Sequence, residues 1–99
     1  LAKQLTPENI NDSINDNGTT LLHYACQKLY LNLVIYLLEN GANVNIKDTF
    51  YENTPLHDAI MWNNSDKRKD IVDILIKNGA IVNTKNGADE STIFLVKCN

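Results

Sequence analysis

Apolar residues recur along the chain at the three- and four-residue spacing that places side chains on one face of an α-helix. One set comprises Leu22, Ala25, Cys26 and Leu29. Two further sets are Leu33, Val34, Leu37 and Leu38, and Ile71, Val72, Leu75 and Ile76. The spacing predicts amphipathic helices, and the small residues of the first set favour close approach of a neighbouring helix.

Local signals mark where these helices begin and end. Thr54 followed by Pro55 is typical of a helix start, since the hydroxyl caps backbone amides and the ring suits the first turn. Thr20 holds the matching position earlier in the chain. Gly41 and Gly79 follow the second and third apolar sets, where a left-handed residue commonly stops a helix.

The chain contains two copies of one sequence unit. Residues 18–25 align with residues 52–59, and residues 33–45 align with residues 71–83. Such self-similarity predicts stacked copies of one helical unit, each covering the apolar face of the next.

This unit resembles the ankyrin repeat. Residues 54–59 read T-P-L-H-D-A, and residues 37–45 read L-L-E-N-G-A-N-V-N, two near-complete matches to that family's motifs. The resemblance implies an all-α ankyrin-repeat solenoid of helix-turn-helix units joined by β-hairpin-like loops. It also implies that His23 and His57 tie the start of each first helix to neighbouring backbone.

We place repeat starts at Asn15, Asp48 and Asn86. The predicted units are residues 15–47 and 48–85, flanked by a partial preceding repeat or cap at 1–14 and a partial third repeat at 86–99. In the first of these flanks, Leu1 and Leu5 are assigned to the second helix of the preceding repeat. The third unit keeps Thr92 and then departs from the motif at Ile93, as a degenerate or truncated cap does. We therefore interpret the chain as a fragment with about two full repeats.

The middle unit carries two insertions relative to the first. Its hairpin tip, residues 49–53, has one extra residue, and residues 63–66 lengthen the connection between its two helices. Insertions of this kind fall where packing tolerates them.

Composition narrows the class of protein. The chain has 99 residues, 43% hydrophobic residues, two cysteines and a net charge of -3. Its longest apolar run, residues 33–38, is far shorter than the roughly 20 residues of a transmembrane helix. Two widely spaced cysteines favour a reducing compartment, so we expect a cytoplasmic or nuclear protein. The acidic balance argues against nucleic acid as a partner, with residues 67–69, Lys-Arg-Lys, as a small exception.

No pattern in the chain predicts catalysis. His23 and His57 are 34 residues apart at one repeat position, so each serves its own unit. His23 and Cys26 have metal-like spacing, yet Cys26 takes the small packing position and no second pair completes a zinc site. Asp58 is expected to be a solvated helix residue. We predict no enzyme activity, no metal and no cofactor.

The predicted binding surface comprises positions that the repeat leaves free. The resemblance implies that a protein partner docks on the hairpin tips and the exposed face of each first helix. In the first unit these positions are Asp16, Asn17, Thr19, Gln27 and Lys28. In the second they are Thr49, Phe50, Tyr51, Asn53, Met61 and Trp62. Aromatic residues dominate interface hot spots, although Trp62 folding over the adjoining insertion and Phe50 packing on its own hairpin remain open alternatives.

The sequence thus predicts a protein–protein interaction module, an adaptor or scaffold segment of a larger protein. Two alternatives stay open. The repeats can be a regulatory or structural segment of a larger enzyme or transcription factor, or bind nucleic acid through Lys67–Lys69 and Trp62. The rich usage of Asn, Lys and Ile, with irregular repeats, is also similar to the ankyrin proteins of poxviruses, which recruit host proteins. Other A+T-rich genomes leave the same usage.

Overall fold

The computed structural model describes residues 5–62 and 66–92. Four helices follow one another: α1 (Leu21–Lys28), α2 (Leu31–Glu39), α3 (Pro55–Met61) and α4 (Lys67–Lys77). Apart from two isolated β-bridges, Ser13 with Thr20 and Lys85 with Ser91, these described segments hold no strand pairing. The predicted all-α architecture is confirmed.

Both first helices begin with the same capping arrangement. The Thr20 hydroxyl oxygen accepts from the His23 amide at 3.3 Å, and His23 Nδ1 accepts from the Thr20 amide at 3.1 Å. Thr54 and His57 repeat these contacts at 3.4 and 3.1 Å. Each box satisfies two amides that the first turn leaves unpaired, so the predicted starts at both threonines are confirmed.

The helices end by two routes. Gly41 and Gly79 each adopt φ of 97° just after α2 and α4, as the sequence predicts. By contrast, α1 ends at Leu29, whose φ of 58° is left-handed although it is not glycine. There the Tyr30 amide donates to the Ala25 carbonyl at 2.9 Å, and burial of the Leu29 side chain holds the turn in place.

The helices stack in two layers around one core. Helix α1 packs on α2 and α3, and α4 packs on α2 and α3. The buried apolar residues are Ile10, Leu22, Ala25, Cys26, Leu29, Val34, Leu37, Leu56, Ala59, Ile60, Ile71, Leu75 and Ala80. Cys26 is in the packing position that the sequence predicts, and its burial raises the pKa of the thiol. Ile76, placed on the apolar face from its spacing, is instead exposed.

The side chain at each predicted repeat start accepts hydrogen bonds from backbone amides of the loop that follows it. Asn15 Oδ1 accepts from the amides of Asn17 and Thr19 at 2.9 and 3.2 Å. Asp48 Oδ1 accepts from the amides of Tyr51 and Glu52 at 2.7 and 2.9 Å. Asn86 Oδ1 accepts from the amides of Ala88 and Glu90 at 3.0 and 2.9 Å. Such contacts favour turns over continued helix.

The N-terminal prediction is wrong at Leu5, which lies outside any helix. The chain turns there, with the Ile10 amide donating to the Thr6 carbonyl at 3.0 Å, and Ile10 is buried. A proline at position 7 and short polar residues after it favour a turn in this segment. Leu1, the inserted residues 63–65 and the chain after Thr92 lie outside the described residues.

Candidate functional site

The hairpin tips of the three units lie side by side. Amides of Thr49 and Phe50 donate to the Asn17 carbonyl at 2.8 and 3.3 Å, and the Gly87 amide donates to the Tyr51 carbonyl at 2.8 Å. Gly18 allows the first contact, because a β-carbon there would lie 2.7 Å from the Thr49 nitrogen. The tips therefore form one connected edge.

An exposed aromatic row crosses this edge. The rings of Phe50 and Tyr51 meet edge to face with centroids 4.5 Å apart, and those of Tyr51 and Trp62 do so at 6.5 Å. Their side chains are 64%, 50% and 52% exposed, respectively. Edge-to-face packing holds the rings in place while their outer surfaces stay open to solvent.

Asp58 lies beneath this row, and its predicted exposure to solvent is wrong. Only 1% of the residue is exposed. Its Oδ1 accepts from Trp62 Nε1 at 3.0 Å and Asn53 Nδ2 at 3.5 Å, and its Oδ2 accepts from Gln27 Nε2 at 3.3 Å. Burial raises the pKa of this carboxyl to about 7, against which the three donors act only in part.

His23 joins the two units. Its Nδ1 accepts from Thr20, and its Nε2 donates to the Asn53 carbonyl of the next unit at 2.8 Å. His57 Nε2 donates to the Glu90 carbonyl at 2.9 Å in the same way. Burial lowers the pKa of both imidazoles, so both stay neutral and act as the structural ties that the resemblance implies.

Metal-ligating atoms of His23, Asp48 and Asp58 lie within 4.8 Å of one another. A metal needs a free imidazole lone pair. The Nδ1 lone pair of His23 is engaged by Thr20, and its Nε2 carries the proton donated to Asn53. The cluster therefore fits a structural hydrogen-bond network and does not fit a metal site.

A pocket of about 230 Å³ opens between the first two units, beside the aromatic row. Five of the predicted binding residues line it, namely Asn17, Thr19, Gln27, Tyr51 and Trp62. Of the others, Asp16, Lys28, Thr49, Phe50 and Met61 are exposed outside its lining. Asn53 does not line the pocket; it is 1% exposed and its side chain is hydrogen bonded to Asp58 and Asn86, so its predicted exposure at the hairpin tip is wrong.

Sequence reasoning missed the other five residues of the lining, Ile14, Asn15, Tyr24, Asp48 and Asp58. Two signals pointed to Tyr24 and Asp58. Tyr24 and Asp58 occupy the same position of successive units, and Trp62 follows Asp58 by four residues, which places both on one helix face.

The basic run occupies the first turn of α4, away from this pocket. Arg68 Nη1 donates to the Ile60 carbonyl at 3.2 Å, and Trp62 directs its indole nitrogen to Asp58. No helix within the described ranges is long and apolar enough to cross a membrane.

The family model for ankyrin repeats (3 copies) matches residues 1–86. A putative ankyrin repeat protein of Rickettsia felis is 42% identical over 84 residues, covering 79% of this chain and 36% of the relative. Mouse ankyrin repeat domain-containing protein 53 is 30% identical over 95 residues, covering 96% of this chain and 19% of the relative. A putative ankyrin repeat protein of fowlpox virus is 34% identical over 68 residues, covering 68% of this chain and 19% of the relative.

The chain thus spans between a fifth and two fifths of the length of these relatives. An ankyrin repeat domain is generally a non-catalytic module that binds other proteins. With its four helices, its capping pattern and a family match over most of its length, the chain belongs to the ankyrin repeat family, a family of protein–protein interaction modules.

Proposed function

We propose that the chain binds a protein partner through the tip surface, defined as Asn17, Phe50, Tyr51, Met61 and Trp62. The observation that carries this proposal is the exposed aromatic row, in which three adjacent rings are each at least half exposed. Rigid aromatic side chains bury large areas at low entropic cost and are typical interface hot spots.

The scaffold beneath the row supports the proposal because it is already ordered. Backbone contacts join the three tips, and the Trp62 ring is fixed by its hydrogen bond to Asp58 and its contact with Tyr51. Preorganised surfaces lose little conformational entropy on binding. The chain therefore acts as a recognition or adaptor segment of a larger protein, with no catalytic role and no cofactor of its own.

Two features bear on the cellular location and the biological context of this proposed function. Wide spacing of the two cysteines favours a cytoplasmic or nuclear location, and the fowlpox relative keeps a host–virus interaction among the candidate roles.

The test compares two double variants of the full-length protein in a pull-down. Met61→Ala with Trp62→Ala truncates two of the five side chains of the tip surface, and Tyr36→Ala with Ile76→Ala removes apolar side chains of similar exposure from α2 and α4. We expect the first variant to lose the bound protein and the second to keep it. Both variants should retain wild-type helical circular dichroism.

Equal retention by both variants would contradict the proposal, as would loss confined to the α2 and α4 variant. A large fall in the melting midpoint of the Met61 and Trp62 variant would instead assign Trp62 to packing.

The nucleic-acid alternative makes a separate prediction. Binding through Lys67 to Lys69 would weaken steeply as salt concentration rises, because phosphate contacts release counterions. We expect no such salt-dependent binding to single- or double-stranded oligonucleotides.

A further inference from the structure

The pocket beside the tip surface has a defined chemistry, with carboxylates at its base and aromatic rings along its sides. Asp48 and Asp58 contribute the carboxylates, and Tyr24, Tyr51 and Trp62 contribute the rings. Its volume of about 230 Å³ is below the roughly 300–1,000 Å³ of typical small-molecule sites. The space suits one long side chain better than a whole small ligand.

Within the described ranges, no cation balances the carboxyl groups at the base of the pocket when they ionise. Oxygens of Asp48 and Asp58 lie within 4.8 Å of each other, and the three side chains that donate to Asp58 are all neutral. No lysine or arginine of the described ranges is ion paired with either carboxylate. Because buried carboxylates are costly without a positive partner, a cation entering from solvent gains more here than at an exposed acid.

The aromatic sides favour the same class of ligand independently. Lys28 Nζ already lies 5.8 Å from the centroid of the Tyr24 ring, within the range of a cation–π contact. Tyr51 and Trp62 present half-exposed rings at the mouth of the pocket. An aliphatic stem can lie along these rings while its charged end reaches the base.

We infer that this pocket receives a lysine or arginine side chain of the protein partner, with the aliphatic stem against Tyr51 and Trp62 and the charge facing the carboxylates at the base. The inference rests on the proposed function and specifies its partner chemistry. A phosphate or an acidic side chain is repelled by the two carboxylates, and His23 offers no lone pair to a metal ion.

Trp62 is the only tryptophan of the chain, so its fluorescence and its indole N–H resonance report on this pocket alone. The test titrates the 99-residue chain with N-acetyl-arginine amide and N-acetyl-lysine amide. N-acetyl-citrulline amide and N-acetyl-norleucine amide are the uncharged controls. We expect the charged amides to shift the Trp62 signals, and the neutral amides to bind at least tenfold more weakly.

Asp58→Asn removes the charge and keeps the size of the side chain, and Asp73→Asn is the matched control on the exposed side of α4. The charged amides should lose their effect in the first variant and keep it in the second. Binding by wild type should also strengthen about tenfold from pH 6 to pH 8, since Asp58 must ionise. Neighbouring titratable groups are His23 and Cys26 on α1, Asp48 before α3, and the phenols of Tyr24 and Tyr51.

Equal response to charged and neutral amides would overturn the inference, and so would unchanged binding by Asp58→Asn. Either result leaves the proposed function standing if the pull-down still depends on Met61 and Trp62. Conversely, a charge-selective response combined with a pull-down that ignores those residues would reject the proposed function alone.

Discussion

The indole nitrogen of Trp62 donates a hydrogen bond to Oδ1 of Asp58 at 3.0 Å, and so connects an exposed ring to a buried carboxylate one helical turn earlier. The bond orients Trp62 across the pocket mouth, where its ring meets that of Tyr51. Burial raises the pKa of the Asp58 carboxyl to about 7, and the bond from Trp62 opposes this shift only in part. The contact therefore links the proposed tip surface to a titratable carboxyl.

Asp58 should make the chain less stable as the pH rises. Its pKa is raised from 3.8 to about 7 in the folded state, so the folded chain binds more protons than the unfolded chain between these values. The stabilising contribution of the protonated form is complete below about pH 4 and is lost as the pH rises through 7. Asp58→Asn cannot ionise, so its free energy of unfolding should gain on wild type by about 2 kcal/mol from pH 5 to pH 7.

Urea unfolding followed by circular dichroism at each pH measures this difference. Asp73→Asn, at an exposed position, should track wild type across the range. If the free energy of unfolding varied with pH in the same way for wild type and Asp58→Asn, the raised pKa of the buried Asp58 carboxyl would be contradicted.

His23 and His57 should make the chain more stable as the pH rises, opposite to the effect of Asp58. Burial lowers the pKa of His23 and His57 below 6.5, so the unfolded chain binds more protons just below that pH. Their contribution to stability is complete above about pH 6.5 and declines as the pH falls towards the folded pKa. In the Asp58→Asn background, the free energy of unfolding should therefore fall between pH 6.5 and pH 5, and a flat profile would contradict protonation-sensitive histidine ties.

His23→Ala should be among the most destabilising substitutions in the first unit. It removes the acceptor for the Thr20 amide and the donor to the Asn53 carbonyl, and leaves a cavity in a fully buried site. Unpaired buried groups cost about 1–3 kcal/mol each, and cavities add to that. We expect the free energy of unfolding to fall by about 3 kcal/mol or more, as measured by urea unfolding at pH 7. A change within 0.5 kcal/mol, roughly the range of surface substitutions, would show that His23 does not join the units.

Two glycines allow a matched test of close packing between hairpin tips. Gly18 and Gly41 both have positive φ, at 76° and 97°. A β-carbon at Gly18 would lie 2.7 Å from the Thr49 nitrogen, whereas one at Gly41 meets nothing within 4 Å. Gly41→Ala should therefore cost only the backbone strain, about 1–2 kcal/mol.

Gly18→Ala should cost more than Gly41→Ala, and it should weaken the protection of the Thr49 and Phe50 amides in hydrogen exchange. Equal costs for the two variants would mean that the tips separate without penalty.

The sequence by itself determined the scaffold. Helical spacing of apolar residues, the Thr20 and Thr54 starts and the Gly41 and Gly79 stops are local signals, because each depends on backbone geometry within one turn or one cap. The repeat then multiplies these signals, so that the order of the helices was predictable, and the ankyrin resemblance implied the role of both histidines. Leu29 escaped prediction since its left-handed turn is held by burial in the core and not by its residue type.

Tertiary structure alone decided the chemistry of the site. Asp58 has the sequence context of an exposed helix residue, yet three donors from α1, the preceding loop and the C-cap of its own helix surround it. Asn53 looked accessible at a hairpin tip, and stacking of the next unit buries it against Asn86. Burial and its pKa consequences arise from contacts between residues about 30 positions apart in the chain. Local sequence patterns do not predict such contacts, because the contacts form only when one repeat stacks on the next.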